Sequence, residues 1–270
     1  MTALRVLILT TAAVAVLSGC NRDRDENRAP VPPAKGDASA AAVPTGAAAP
    51  LTYESQTPYA EVELSLPQAL TSQPDLHAVL YQTAVRDLRE FNEGAQADRT
   101  EAGVEGGPSP YAKSIGVEPA AETGRLLSLK REDYEFTGGA HGNTTSSGIL
   151  WDKTAKRQLQ PAALFRPGAN LARLNAPLCA AVNAAKRERD PTADPVTPNG
   201  EMWSCPDAAQ THFVLAPGTG GKAGGLMFMV GPYVVGPYAE GGYEVVLPTA
   251  VVAPLLAPEY AAEFAGGPAG

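Results

Sequence analysis

A histidine set among glycines is where this sequence has the residue types to do chemistry. In the stretch Tyr134 to Asn143, Gly138, Gly139 and Gly142 surround His141, one of only three histidines in the chain. Glycines allow positive φ or a close backbone approach, and successive exposed N–H groups in such a turn form a concavity that attracts anions. An imidazole held there suits a general base, with Glu135 or Glu240 as the carboxylate to orient it. No nucleophile to accompany it is identifiable. The same glycines serve equally well as a hairpin corner whose role is geometry alone. Two readings therefore stand, a ligand site built on Gly138, Gly139, His141 and Asn143, or a structural turn.

Other chemistries leave fewer traces. There is no Gly-x-Ser-x-Gly elbow, no His-Glu-x-x-His, no Cys-x-x-Cys and no Walker loop. His77, His141 and His212 share no ligand spacing, so neither a metal nor a cofactor is expected. His77 falls in the first turn of an expected helix, as an ordinary surface or boundary residue. Cys179 and Cys205 are expected to pair in an oxidising compartment, the alternatives being two reduced cysteines or a catalytic thiol. The bridge would close a loop of about 26 residues, worth roughly 3.5 kcal/mol in the chain-entropy model, and would pin a proline-rich excursion to a helix. Two Gly-Pro-Tyr units, 231–233 and 236–238, set Tyr233 and Tyr238 five apart with Glu240 just beyond. Their rings either pack on the core or face a partner.

The elements that must position these residues follow from periodicity. Tyr59 to Leu66 alternates as a half-buried strand. Leu76, Val79, Leu80, Ala84, Leu88 and Phe91 fit one helical face, with Asp75 as N-cap. Residues 94–110 suggest a loop and Tyr111 to Val117 a short strand. Arg125 to Phe136 is the strand that feeds the glycine turn, and Thr144 to Trp151 its antiparallel return. A helix carrying Leu171, Leu174, Leu178 and Val182 follows, interrupted or kinked at Pro177. Three short strands, Thr211 to Ala216, Leu226 to Val230 and Tyr243 to Leu247, precede a helical segment from Thr249 to Leu256.

The beginning of the chain sets the compartment. Arg5, an apolar run from Val6 to Leu17 and then Leu17-Ser18-Gly19-Cys20 follow the order of a secretory signal, and the run is too short for a permanent membrane span. The pattern resembles the bacterial lipoprotein lipobox, which implies removal of residues 1–19 and acylation of Cys20 as a firm membrane anchor. Asn21 is not aspartate, which favours the outer membrane if the host is Gram-negative. Residues 20–50 are charged and then rich in alanine, proline and glycine, as expected of a disordered tether able to reach some tens of ångströms. The organisation expected beyond it is an α+β unit of two small subdomains, 51–160 and 161–258, with a flexible tail over 259–270. With 29 acidic against 21 basic residues the chain carries a net charge of −8. Nucleic acid is thereby disfavoured as a partner and cationic molecules favoured.

The Thr137-to-Asn143 turn, taken with Phe228 to Tyr233 and Gly236 to Gly241, resembles the paired extracytoplasmic domains of unknown function shared by RsiV-type anti-sigma factors and PdaC-type peptidoglycan deacetylases. The resemblance spans about Leu51 to Leu256. It implies an α+β fold in which a few helices cover mainly antiparallel sheets. In the anti-sigma members the module binds lysozyme, and in the deacetylases a separate domain supplies the catalytic metal. The sequence shows neither the sigma-binding nor the catalytic part, so signalling and deacetylation are not expected to transfer. The expectation is a noncatalytic, lipid-anchored protein facing the periplasm that binds a lysozyme-like cationic protein or peptidoglycan. A cell-wall hydrolase using His141 and a purely structural envelope component are the alternatives.

Overall fold

Two sheets share the work of burial. The computed structural model describes residues 48–103 and 110–268. The signal segment 1–19, the Cys20 anchor and the tether up to residue 47 lie outside the described residues. The larger sheet has six strands in chain order: β1 (Thr52–Gln56), β2 (Ala60–Ser65), β3 (Tyr111–Glu122), β4 (Leu126–Phe136), β5 (Asn143–Asp152) and β6 (Arg157–Leu159). All neighbours are antiparallel except β2 and β3, which run parallel because the long helix α1 (Pro74–Glu101) carries the chain back between them. The smaller sheet is an antiparallel meander of β7 (Phe213–Pro217), β8 (Ala223–Val230) and β9 (Tyr243–Pro248). Helix α2 (Asn175–Arg189) and the short α3 (Thr249–Val252) and α4 (Pro258–Ala261) complete an α+β fold.

The period-2 pattern of β4 and β5 explains how one sheet faces two cores. Leu127, Leu129, Ile149 and Trp151 point to the side covered by α1, where they meet Leu76, Leu80 and Leu88. Leu126, Leu150 and Leu159 point to the other side and join Leu178, Leu226, Phe228 and Tyr260. Residue 160 is thus no division of the core, since residues before and after it share one cluster.

The smaller sheet meets the larger one with its edge. β7 packs against β3, β4 and β5, and the Leu215 N–H donates to Ser128 Oγ at 3.0 Å. Gly148 makes the approach possible, since a Cβ there would stand 2.0 Å from the Phe213 carbonyl oxygen.

Several expectations need correction. Helix α1 runs on to Glu101 through the expected loop, because Ala95 and Arg99 continue its buried stripe and Arg99 lies over the Tyr111 ring at 5.6 Å. His77 is buried at 1% exposure, its Nε2–H donating 3.0 Å to the Pro50 carbonyl, so the folded part already includes residues assigned to the tether. Pro74 opens α1 and Asp75 lies inside its first turn, not at the cap. Pro177 does not kink α2, because it occupies the first turn, where its missing N–H costs no helical bond. Strand β1 was not expected, and β3 is longer than the segment assigned to it. Finally, residues 259–268 are no loose tail, since Tyr260 is 1% and Phe264 7% exposed.

Polar contacts hold that last segment. Arg125 donates twice to Asp152 Oδ2, at 2.9 and 2.7 Å, and its guanidinium lies 4.7 Å over the Tyr260 ring. Glu263 accepts from Thr123 Oγ1 and the Arg125 N–H. Burial is the largest influence on the Asp152 carboxyl and pushes its pKa up, but Arg125 and the Ala155 and Thr154 N–H groups together outweigh it and hold it below the ordinary aspartate value. The disulfide Cys179–Cys205, with Cα atoms 5.1 Å apart, ties α2 to the segment after Asp190.

Two tests follow from this packing. Gly148→Ala should lower the unfolding free energy by about 2 kcal/mol or more in urea titration, because the obstacle is backbone rather than a movable side chain; a change within experimental error would contradict edge-on contact. For Asp152 the depressed pKa means stability present above the unfolded aspartate value and lost as pH falls through the lower folded one. Stability should therefore fall below about pH 4, and Asp152→Asn should flatten that decline. An unchanged slope between neutral and acid pH in the variant would count against the pair.

Candidate functional site

The glycine turn joins β4 to β5 much as its composition suggests. Gly138 and Gly139 adopt φ of 103° and 95°, which side chains rarely tolerate. Gly142 leaves room for the Tyr134 ring folded over it, which a Cβ there would meet at 2.3 Å and push aside. Between them His141 is exposed, its ring stacked on Tyr238 at 3.8 Å and 13°. Its Nδ1–H donates to the Gly142 carbonyl at 2.9 Å, and the Tyr238 hydroxyl donates to the same oxygen at 2.8 Å. One carbonyl thus fixes both rings, and in the neutral imidazole Nε2 is left as the acceptor nitrogen.

Tyr233 stands next in the row, 5.5 Å from Tyr238. It is 54% exposed and held at φ 65°, a left-handed conformation uncommon for a bulky residue. Tyr233 and Tyr238 therefore lie on the surface next to the turn, joining two motifs almost a hundred residues apart.

Glu240 belongs elsewhere. It accepts from the buried Lys186 at 2.5 Å and from the Tyr243 hydroxyl, while Arg189 donates to the Glu240 and Gly242 carbonyls and lies 3.9 Å over the Tyr243 ring. Burial pushes the Glu240 carboxyl up, yet Lys186, Tyr243 and Arg189 outweigh it and hold the pKa down. Burial first, and the Glu240 charge second, push the Tyr243 phenol up to about 12. This is a clamp between α2 and the 231–242 loop.

Glu135 lies nearer the turn. With His141, Asp133, Lys113, Gly138 and Asn143 it lines a shallow pocket of about 460 Å³, where Lys113 bridges Glu135 at 3.5 Å and Asp87 at 2.8 Å. Among the described residues no three histidine, cysteine or acidic side chains gather as metal ligands.

A larger cleft, about 940 Å³, opens on the other side of Asn143. Its floor is Asn143 to Ser147, and its far wall comes from 206–212, from the end of β8 with the Gly231–Val234 turn, and from the start of β9. Its charged groups are Glu132, Asp207, Glu244 and Arg189, beside His212, and Arg189 is already engaged in the clamp. Of these only Asn143 was singled out from sequence. The missed signal is Asn-Thr-Thr-Ser-Ser, a strand with neither an apolar alternation nor a charge.

Residues 53–144 match the family model described as Deacetylase PdaC. The match covers about a third of the chain, from β1 to the first residues of β5, and includes His141 but none of the 231–242 loop. No curated protein matches. The chain is similar in fold to a member of the DUF3298 family from Bacteroides fragilis, at 17% identity and a TM-score of 0.54, over 78% of this chain and 94% of that one. A DUF3298 family protein from Pseudomonas aeruginosa also aligns, at 17% identity and a TM-score of 0.49, over 83% of this chain and 99% of that one.

The clamp and the aromatic row should separate cleanly under mutation. Glu240→Gln leaves Lys186 buried beside a neutral amide and should cost about 3 kcal/mol of stability. Tyr238→Phe removes one hydrogen bond and should cost about 1 kcal/mol. Thermal and urea unfolding of the two variants measure this; equal effects would mean that Glu240 is not structural.

Proposed function

We propose that this chain is a noncatalytic cell-envelope lipoprotein, anchored through Cys20, whose globular unit binds a macromolecular ligand of the periplasm. The ligand is a lysozyme-like cationic protein or peptidoglycan. One observation carries the reading: a large open cleft, adjoining a row of three rings, has a rim with Glu132, Asp207 and Glu244 against a single arginine. Such a rim favours encounter with positively charged partners. The match of residues 53–144 is to a family named for a deacetylase. It is neutral as to catalysis.

His141 supplies the one observation that favours an enzyme. It shares the shallow pocket with Glu135 and Asp133, as a hydrolase using it as base would require. Its Nδ1–H, however, goes to a backbone carbonyl and not to either carboxylate, so no orienting acid acts on it.

Retention assays decide between these readings. The purified chain should be retained by immobilised lysozyme or by purified sacculi at low salt and released as salt rises. Absence of retention on both would remove the binding reading, whereas turnover of wall fragments abolished by His141→Ala would establish the hydrolase. Metabolic labelling with a fatty acid, lost in Cys20→Ser, tests the anchor.

A further inference from the structure

The floor of the large cleft is a strand edge with no neighbour among the described residues. β6 pairs only with Leu150 to Asp152, so residues 143–149 of β5 have β4 on one side and no described strand on the other. Side chains alternate between the faces of a strand. Five successive residues, Asn143 to Ser147, border the cleft, so residues of both faces meet it along the edge.

Register fixes which backbone groups are presented. The Lys153 N–H donates to the Arg125 carbonyl, and pairing runs without a shift from there to Asn143. In an antiparallel ladder each residue turns both its groups to the same side and successive residues alternate. Odd-numbered residues of β5 therefore bond to β4, and Thr144 and Ser146 turn their N–H and C=O groups into the cleft.

Natural sheets protect such edges with lysine, proline, bulges or a covering segment. Asn143 to Ser147 has none of these in its sequence, and its register carries no bulge. What borders it instead is an excess of acidic charge, Glu132, Asp207 and Glu244 against Arg189. Lys130 alone serves Glu118, Glu132 and Glu244, at 3.9, 3.5 and 3.1 Å, and Asp207 stands exposed across the opening. Burial pulls the Lys130 pKa down, but the three carboxylates outweigh it and hold it above the ordinary lysine value.

We infer that the free edge of β5 at Thr144 and Ser146 takes an extended, basic segment of a partner protein as an added strand. The inference rests on the binding reading above and names its recognition mode. Backbone pairing supplies the affinity, while Glu132, Glu244 and Asp207 select lysine or arginine side chains of the incoming strand. A five-residue edge is about 17 Å long, enough for a short segment and too short for a continuous sheet between proteins.

Fluorescence anisotropy of the full chain in mild detergent tests this with a labelled peptide of alternating lysine and valine. Binding is expected. It should weaken about tenfold or more when glutamate replaces lysine, and by a similar factor when alternate backbone amides of the peptide are N-methylated, since each lost pairing bond is worth about 1 kcal/mol. Ser146→Pro, which removes an outward N–H but no bond to β4, should have the effect of methylation, and Glu132→Gln with Glu244→Gln that of charge reversal. Should Ser146→Pro fail to fold, the methylated peptide still decides.

Equal binding of methylated and unmethylated peptides would overturn strand addition, as would failure of the basic peptide to bind. So would a dimer in sedimentation that Ser146→Pro dissociates, because a second copy would then fill the edge. Retention on lysozyme or sacculi alongside any of these results would leave the binding reading intact. Absence of retention on both with strand addition preserved would remove lysozyme and peptidoglycan as ligands and leave the strand edge standing by itself.

Discussion

Everything in this fold turns on how closely a strand can come to the face of a sheet. At Gly148 the Phe213 backbone occupies the space a side chain would need, and Ser128 supplies the acceptor that the arriving Leu215 N–H would otherwise lack. Burying an edge is costly unless its polar groups are satisfied. Here one small residue and one hydroxyl solve both problems. The consequence is that the face of the large sheet away from α1 gains a core shared with the smaller sheet, α2 and the short C-terminal helices, and Leu126, Leu150 and Leu159 are buried by the C-terminal half.

The same geometry creates the cleft. β7 meets the large sheet around Ser128 and Gly148, and β6 stops at Leu150, so among the described residues the glycine-turn end of β5 has no strand beside it on that edge. His212, Met229 and Glu244 then face it across open space. The clamp of Lys186, Glu240, Tyr243 and Arg189 holds the opposite wall to α2, and Tyr238 fastens that wall to the turn through the Gly142 carbonyl. Wall and floor are each rigidly supported, which suits a preformed site.

Much of this was legible in the sequence, for reasons tied to pattern. The β4–β5 pair was visible because apolar alternation leads into glycines, and α1 as far as Phe91 because leucines recur at helical spacing. Its last turns were hidden by using alanine and arginine for the stripe, residues that hydropathy does not register as core. β1 was hidden because neither of its faces is fully buried. The parallel pairing of β2 with β3 and the Lys186–Glu240 contact depend on residues far apart in sequence, which local periodicity cannot bring together. Tyr260 and Phe264 did carry a signal, as isolated aromatics in an alanine- and glycine-rich stretch that would otherwise have nothing to bury.

The glycine turn changes meaning in this light. Gly142 leaves room for the Tyr134 ring and its carbonyl accepts two hydrogen bonds, so part of the motif serves the hairpin. Gly138 and Gly139 owe their identity to positive φ and not to packing, since nothing lies within 4 Å of where a Cβ would stand, and Tyr233 is an exposed ring in a conformation that costs of order 1 kcal/mol or more. The motif is therefore divided along its length, with the buried Gly142 carbonyl anchoring two rings and the exposed Gly138 and Gly139 turning the chain through positive φ beside the recessed strand edge.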